Sequence, residues 1–301
     1  MTDATLTFPA PTVGDYVQLL KPRVMSLVVF TGLVGLMIAP GTIHPLTAMV
    51  ALLCIAIGAG ASGALNMACD ADIDRVMART AGRPIPAGKI TAEAAAEFGW
   101  VLSALSVMVM AVLVGYVAAA LLAFTIFFYV VIYTLWLKRW TTQNIVIGGL
   151  AGALPPAIGW AAVTGEAFAW PPLVLVALIF LWTPPHFWAL AILTRKDYAA
   201  AGVPMLPVVV GERETQRQIL LYTAVTVPFG MLPAVMGFGG WLYAAIAGVS
   251  GLLFLYAAWR LHRAEGEGVA GEAKRVFGFS ILYLFLVFTA LLVERLAAWS
   301  L

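Results

Sequence analysis

The chain has 301 residues, 62% of them hydrophobic and 11% charged, with a net charge of +2 at pH 7. Soluble domains are about 45–50% apolar, so this composition excludes a soluble globular domain and describes an all-α polytopic membrane protein. The small net charge gives no sign of a nucleic-acid partner, because the basic residues follow membrane topology instead.

A bilayer-spanning helix needs roughly 17–25 apolar residues. Nine runs approach or meet that length: residues 24–39, 46–67, 98–114, 117–137, 145–163, 173–193, 219–236, 241–259 and 276–297. Residues 1–16 are polar and include Asp3 and Asp15, without the basic n-region of a signal peptide or the arginines of a transit peptide. Residues 1–20 are therefore expected to be an N-terminal cytoplasmic segment of a single transmembrane domain covering 1–301. Lys21 and Arg23 precede the first run. Arg75, Arg79, Arg83 and Lys89 follow the second, and Lys138 and Arg139 the fourth. Arg195, Lys196, Arg213 and Arg217 follow the sixth, and Arg260, Arg263, Lys274 and Arg275 the eighth. All fall on one side, and only Arg295 is left for the other. The positive-inside rule makes that side cytoplasmic. The N-terminus is then expected inside and the C-terminus outside, in a bacterial inner membrane.

The second run ends in a burst of charge. Asp70, Asp72 and Asp74 lie within five residues of a chain that is sparsely charged. A carboxylate at membrane depth costs about 2.5–3.5 kcal/mol on insertion scales, so it calls for a partner. Asn66, Asp70 and Asp74 are spaced i, i+4, i+8 and stack on one face of a continuing helix. Two carboxylates on one face suit Mg²⁺, which keeps several waters and also binds phosphate oxygens. Asp72 points away on a continuous helix and joins a metal site only if the helix unwinds near Asp70. Arg75, Arg79, Arg83 and Lys89 supply phosphate-binding forks and a point charge, although positive-inside surplus accounts for part of them. The turn-rich stretch from Arg79 to Gly88 reads as an ordered loop over the site. Together these residues point to an intramembrane enzyme that handles a phosphorylated substrate.

Further along, Tyr133, Lys138 and Arg139 end the fourth run on the same side. Asn144 opens the fifth as an expected helix N-cap. His186 is the only histidine within a span and sits beside Pro184 and Pro185. Arg195, Lys196 and Asp197 follow the sixth run. Cys54 and Cys69 read as packing residues rather than a disulfide. The two long inner loops, 68–97 and 194–218, are separated by four runs, which suggests two related four-helix halves and a ninth helix.

The order N-x-x-x-D-x-x-x-D at 66–74 and R-x-x-x-R-P-x-P-x-G at 79–88 resembles the UbiA-type intramembrane prenyltransferases. Other stretches are similar to the branch of that family that farnesylates heme: Leu20-Lys21-Pro22-Arg23, Tyr133-Thr134 with Lys138-Arg139, Asn144 to Gly149, Trp182 to Trp188, and Asp197-Tyr198 to Pro207. The resemblance spans about residues 20–210. It implies nine transmembrane helices around a central cavity open to the cytoplasmic face. It also implies farnesyl diphosphate and heme B as substrates, heme O and diphosphate as products, and Mg²⁺ as the metal ion. The family's first Asp-rich motif maps onto Asn66, Asp70 and Asp74. The usual second Asp-rich motif is reduced to Asp197, so Arg195 and Lys196 are expected to neutralise diphosphate directly.

For Lys21, Arg23, Tyr133, Lys138 and Arg139 two readings stand: contact with diphosphate or a heme propionate, or interfacial anchoring. For His186 the two are contact with heme, through iron, or a hydrogen bond to backbone freed by the prolines. A downstream heme-modifying enzyme or an oxidase assembly factor is the partner the resemblance implies. Two other functions compete. A prenyltransferase for an aromatic quinone precursor would use the same aspartates. A secondary transporter would place its charge near the midplane rather than at one face.

Overall fold

The computed structural model describes residues 11–299. Asp3 and the rest of residues 1–10 lie outside the described residues, as do 300 and 301. All regular structure among the described residues is helical.

The chain begins with α1 (Val13–Leu19) and α2 (Pro22–Ile38), which meet at a bend of 54°. Helix α1 falls within the expected N-terminal segment, where no helix was anticipated. Its signal is a capping box: Thr12 Oγ1 accepts from Asp15 N at 3.3 Å, and Asp15 Oδ2 accepts from Thr12 N at 3.0 Å. Then follow α3 (Pro45–Cys69), α4 (Ala71–Val76), α5 (Ala92–Leu113), α6 (Tyr116–Trp140) and α7 (Asn144–Thr164). The second half holds α8 (Trp170–Leu193), α9 (Arg195–Ala200), α10 (Leu206–Val209), α11 (Glu212–Val235), α12 (Trp241–Arg263) and α13 (Gly268–Trp299).

Eight of these helices are each long and apolar enough to cross a membrane, and the bent α1–α2 pair supplies a ninth. Every expected run falls on one of them. The differences lie at the ends: α5 starts at Ala92, α11 at Glu212 and α13 at Gly268, each well before its apolar run. Hydropathy marks only the part of a helix in hydrocarbon. Local bonds carry the helix further, as where Thr91 caps α5 by accepting from Ala94 N at 3.1 Å.

Two apolar clusters fill the bundle. One draws on α2, α3, α5, α6 and the end of α7 through Leu36, Ile55, Met110, Leu122 and Ile158. The other draws on α7, α8, α11, α12 and α13 through Leu175, Trp188, Phe254 and Phe288. Helix α7 belongs to both, and it is broken between Ala153 and Pro155. Its second segment packs against α2 almost backbone to backbone. A Cβ built on Gly159 would lie 2.1 Å from Gly32 O and 2.8 Å from Leu36 N. Small residues of this kind let membrane helices approach closely.

Pro184 and Pro185 sit inside α8 without ending it. A proline frees the carbonyl four residues back, and in lipid that carbonyl must find another donor. The Leu181 carbonyl freed by Pro185 accepts from Thr226 Oγ1 of α11 at 3.0 Å, a proton shared with Tyr222 O. Helix α6 widens into a π-helix over Phe128–Leu137. Such widening is rare and recurs at functional sites. Thr134 of this segment and Lys138 just beyond it reach Asn66 and Asp70 at the end of α3.

Candidate active site

Helix α3 carries polarity into an apolar bundle, and the side chains at its charged end form a connected network. Asn66 is the hub. Its Oδ1 accepts from Lys21 Nζ at 2.8 Å, while its Nδ2 donates to Asp70 Oδ2 at 2.7 Å and to Thr134 Oγ1 at 3.1 Å. Asp70 Oδ2 also accepts from Lys138 Nζ. Asp74 Oδ2 accepts from Arg83 Nη1 at 2.7 Å. Asn66, Asp70 and Asp74 are all buried.

The backbone explains why three side chains share one face. An i→i−4 bond closes the end of α3, from Asp70 N to Asn66 O at 3.0 Å, and another opens α4, from Asp74 N to Asp70 O at 2.8 Å. The helix breaks at Asp70 itself, with φ −98° and ψ 12°, yet Asp72 is still turned outward. It is 65% exposed and pairs with Arg139, whose Nη1 and Nη2 reach its two oxygens at 2.8 and 2.7 Å. The Arg139 bonds hold the Asp72 carboxyl down at about 2. The pair is thus present above the ordinary carboxylate range and lost only as pH falls through about 2.

The loop from Arg79 to Gly88 folds back over the site. Thr80 Oγ1 donates to Asp74 O at 3.0 Å, and turns at Arg83, Ala87 and Gly88 hold its course. The second inner loop meets it: Asp197 Oδ2 accepts from Arg79 N at 3.3 Å. Tyr198 is buried beside the Arg79 side chain. Burial pushes its phenol above the ordinary value, against the pull of the Arg79 guanidinium.

Lys21 reaches Asn66 from an unusual backbone. It has φ 51°, ψ 53°, the one positive-φ non-glycine among the described residues. A non-glycine residue there costs about 1–3 kcal/mol, and such strain gathers at functional sites. Tyr133 packs against Tyr129 with ring centroids 5.4 Å apart and the planes tilted by 34°. The space for it exists because Gly148 has no side chain: a Cβ there would lie 2.2 Å from Tyr133 Cδ2.

Not every expected residue joins the cluster. Arg195 is exposed and paired with Glu212 at 3.0 Å, and Lys196 is exposed. The segment 194–197 thus brings only Asp197 towards the first loop. Arg75 is also exposed. Arg23 is exposed, yet it stands at the rim of the cavity described next. Asn144 does not cap α7. Gln143 holds the N-cap position, and Asn144 Nδ2 turns back to Thr141 O at 2.7 Å. Thr134 and Tyr129 were missed, because no sequence pattern announces a π-helix.

A cavity of about 660 Å³ lies within the bundle. It reaches Ser62, one turn from Asn66, and the Tyr129–Tyr133 pair. Its wall also includes apolar residues such as Ile55, Ile126, Ile158 and Leu284, together with Trp182, His186 and Phe277. This volume lies in the range of small-molecule sites. His186 is buried in its wall, with Nδ1 2.8 Å from Ser280 Oγ. The carbonyl freed by Pro185 is occupied by Thr226, and the hydrogen bond of His186 goes to Ser280.

The donor set suits one hydrated divalent cation. Asp70 Oδ1 is buried and has no hydrogen-bond partner, which leaves a carboxylate oxygen for a cation to claim. Among the described residues no three His, Cys, Asp or Glu side chains group into a full protein-ligand set. That agrees with Mg²⁺, which usually takes one or two carboxylates and completes its shell with water and substrate phosphate.

The family model for the UbiA prenyltransferase family matches residues 28–281. The chain belongs to the UbiA prenyltransferase family. Among its relatives is the protoheme IX farnesyltransferase of Parvibaculum lavamentivorans, 61% identical over 296 residues, covering 97% of this chain and 93% of that protein. The protein of the same name from Caulobacter vibrioides is 59% identical over 303 residues, covering 93% and 90%. Solved structures share the fold. A digeranylgeranylglyceryl phosphate synthase superposes with a TM-score of 0.76 at 19% identity, covering 94% of this chain and 98% of that one. A UbiA homologue from Archaeoglobus fulgidus, bound to GPP and Mg²⁺, does so with a TM-score of 0.64 at 16% identity, covering 91% and 99%.

One prediction follows from the position of Asp72. Asp72→Ala should lower prenyl transfer by no more than about fivefold, since an exposed ion pair contributes up to about 1 kcal/mol. Initial rates in membranes, normalised to inserted protein, check it. A loss as large as that of Asp70→Ala would show that Asp72 turns inward during the reaction.

Proposed function

We propose that this chain transfers the farnesyl group of farnesyl diphosphate to a vinyl group of heme B, with addition of water, giving heme O and diphosphate. The observation that carries this reading is the buried Asn66–Asp70–Asp74 face, with its cations, at the end of an apolar cavity. The names of the relatives at about 60% identity supply the acceptor.

The chemistry follows from where charge develops. As the C1–O bond of the farnesyl group breaks, negative charge collects on diphosphate. Lys21, Lys138 and Arg83 already converge on the carboxylate face through Asn66, Asp70 and Asp74. Preorganised donors stabilise such charge without having to reorganise. Mg²⁺ held by Asp70 and Asp74 would add Lewis-acid stabilisation of the leaving diphosphate. Asn66 orients Asp70 and Lys21 through its two ends. The allylic C1 is attacked by the electron-rich vinyl carbon of heme. The resulting cation beside the porphyrin ring takes up water and releases a proton. The apolar wall limits water around the first carbocation. No residue of the chain needs to bond covalently to either substrate.

Arg23, at the cavity rim, suits an anionic group of either substrate, including a heme propionate. The positive-inside distribution supports a charged end facing the cytoplasm of a bacterial inner membrane. The apolar product suits transfer to a membrane-bound heme-modifying partner.

Product analysis tests the reading. Membranes holding the protein are supplied with heme B, farnesyl diphosphate and Mg²⁺, then extracted for chromatography with mass detection. The expected product is heme heavier by one farnesyl group and one water, and its formation should stop when EDTA removes divalent metal. Unmodified heme alongside prenylation of an aromatic acid would replace heme as the acceptor. Undiminished turnover in EDTA would overturn the role given to Asp70 and Asp74.

A further inference from the structure

His186 is held by three aromatic rings and a serine. Trp182 stacks on it at 4.4 Å and 16°, Phe277 stacks at 4.7 Å and 22°, and Phe187 meets it edge-on at 5.1 Å and 84°. Its Nδ1 meets Ser280 Oγ at 2.8 Å. Ser280 has a single hydroxyl proton, and its oxygen also lies 2.7 Å from Phe277 O. A carbonyl only accepts, so that proton belongs to Phe277 O. If it turned to His186 instead, two oxygen lone pairs would face each other at 2.7 Å. Ser280 Oγ is therefore the acceptor and His186 Nδ1 carries the proton. A neutral imidazole has one N–H, which leaves Nε2 with a bare lone pair. Nε2 has no hydrogen-bond partner among the described residues, and His186 lines the 660 Å³ cavity. With the ring held by three aromatic neighbours and Nδ1 engaged, Nε2 is the ring nitrogen left to meet a ligand. Ser280 itself is fully buried behind the ring and does not line the cavity.

We propose that Ser280 is a positioning residue that locks His186 in the Nδ1–H tautomer, so that Nε2 is presented as an axial ligand to the iron of the heme substrate. This rests on heme being the acceptor. Imidazole is a common axial ligand to heme iron. Ligating histidines are typically oriented by an acceptor on the other ring nitrogen, which also raises their basicity. Iron ligation would anchor the porphyrin by its centre and leave its vinyl groups free to react. The rest of the setting survives a change at Ser280, because Trp182 Nε1 donates to the Ser280 backbone carbonyl at 2.8 Å rather than to the side chain.

The test uses the full chain in lipid nanodiscs, titrated with heme B and with iron-free protoporphyrin IX. The readouts are the Soret band, the ferrous iron–histidine stretch in resonance Raman spectra, and affinity. The wild type should show the iron–histidine stretch, and His186→Ala should lose it. Ser280→Ala should weaken heme binding about tenfold, shift the stretch and leave protoporphyrin binding unchanged. Ser280→Thr should restore both. An unaltered stretch and affinity in Ser280→Ala would overturn the proposal. So would equal losses for heme and protoporphyrin, which would mark Ser280 as a wall-shaping residue only. If wild-type protein turns heme into its farnesyl product while showing no iron–histidine stretch, the ligand assignment fails and the acceptor reading stands. If it neither binds nor modifies heme, both fail.

Discussion

Asp70→Asn is expected to lower prenyl transfer by at least about a hundredfold to a thousandfold, the scale of losing a preorganised stabiliser of developing charge. Asp70 is the residue on which the site converges. Its Oδ2 gathers Lys138 and Asn66, and Asn66 in turn holds Lys21. Its Oδ1 is the buried oxygen left for a cation. The amide keeps the size of the carboxylate but removes the charge that holds Lys138 and that would hold a divalent ion. Asp74→Asn should act in the same direction, because it releases Arg83 from a 2.7 Å pair. Removing one partner of a buried pair also destabilises a fold, by about 3–5 kcal/mol. Rates must therefore be normalised to protein that elutes as a single species after extraction. Asp70→Asn that is well folded and active within a few-fold of wild type would remove Asp70 from the chemistry. A variant that fails to accumulate would make its role structural.

Gly159→Val is expected to prevent correct assembly of the bundle. The clash is with backbone, not with the end of a flexible side chain: the added Cβ would sit 2.1 Å from Gly32 O. No rotamer relieves it, so α2 and the second segment of α7 must separate. Overpacking a core usually costs about 1–3 kcal/mol, and a backbone clash at a helix crossing belongs at or above the top of that range. Separation would also shift Ile158, which lines the cavity, and Lys21, which begins α2. Gly152→Ala on the same helix is the control, because a Cβ there meets nothing within 4 Å. The midpoint of thermal aggregation in detergent should fall sharply for Gly159→Val and barely for Gly152→Ala. Equal midpoints would show that the α2–α7 crossing tolerates a gap.

The membrane class, the nine crossings and the charged end could be read from composition and order alone. Hydropathy is a sum over neighbours in the chain, and neighbours in a helix are neighbours in sequence. For the same reason the Asn66–Asp70–Asp74 face was legible: a spacing of four residues is one turn, and i→i−4 bonds link Asn66 to Asp70 and Asp70 to Asp74. The break at Asp70 was not legible, and it leaves Asp72 outside, paired with Arg139. The family resemblance followed from motifs that are contiguous in the chain.

What the sequence left open was pairing across distance. Lys21 and Asn66 are 45 residues apart, and Lys138 and Asp70 are 68 apart. Nothing in the chain's order says which of many cations will reach which carboxylate. Arg195 and Lys196 looked as suitable as Lys138, yet Arg195 is taken by Glu212 at the surface. The π-helix that holds Tyr129 and Thr134 has no local signature, because its i→i+5 bonds call for no particular residue type. His186 shows the division most clearly. Its place beside two prolines was visible in the chain. Its tautomer was decided by Ser280, 94 residues away, because a proton's position depends on the acceptor that the tertiary structure brings to it.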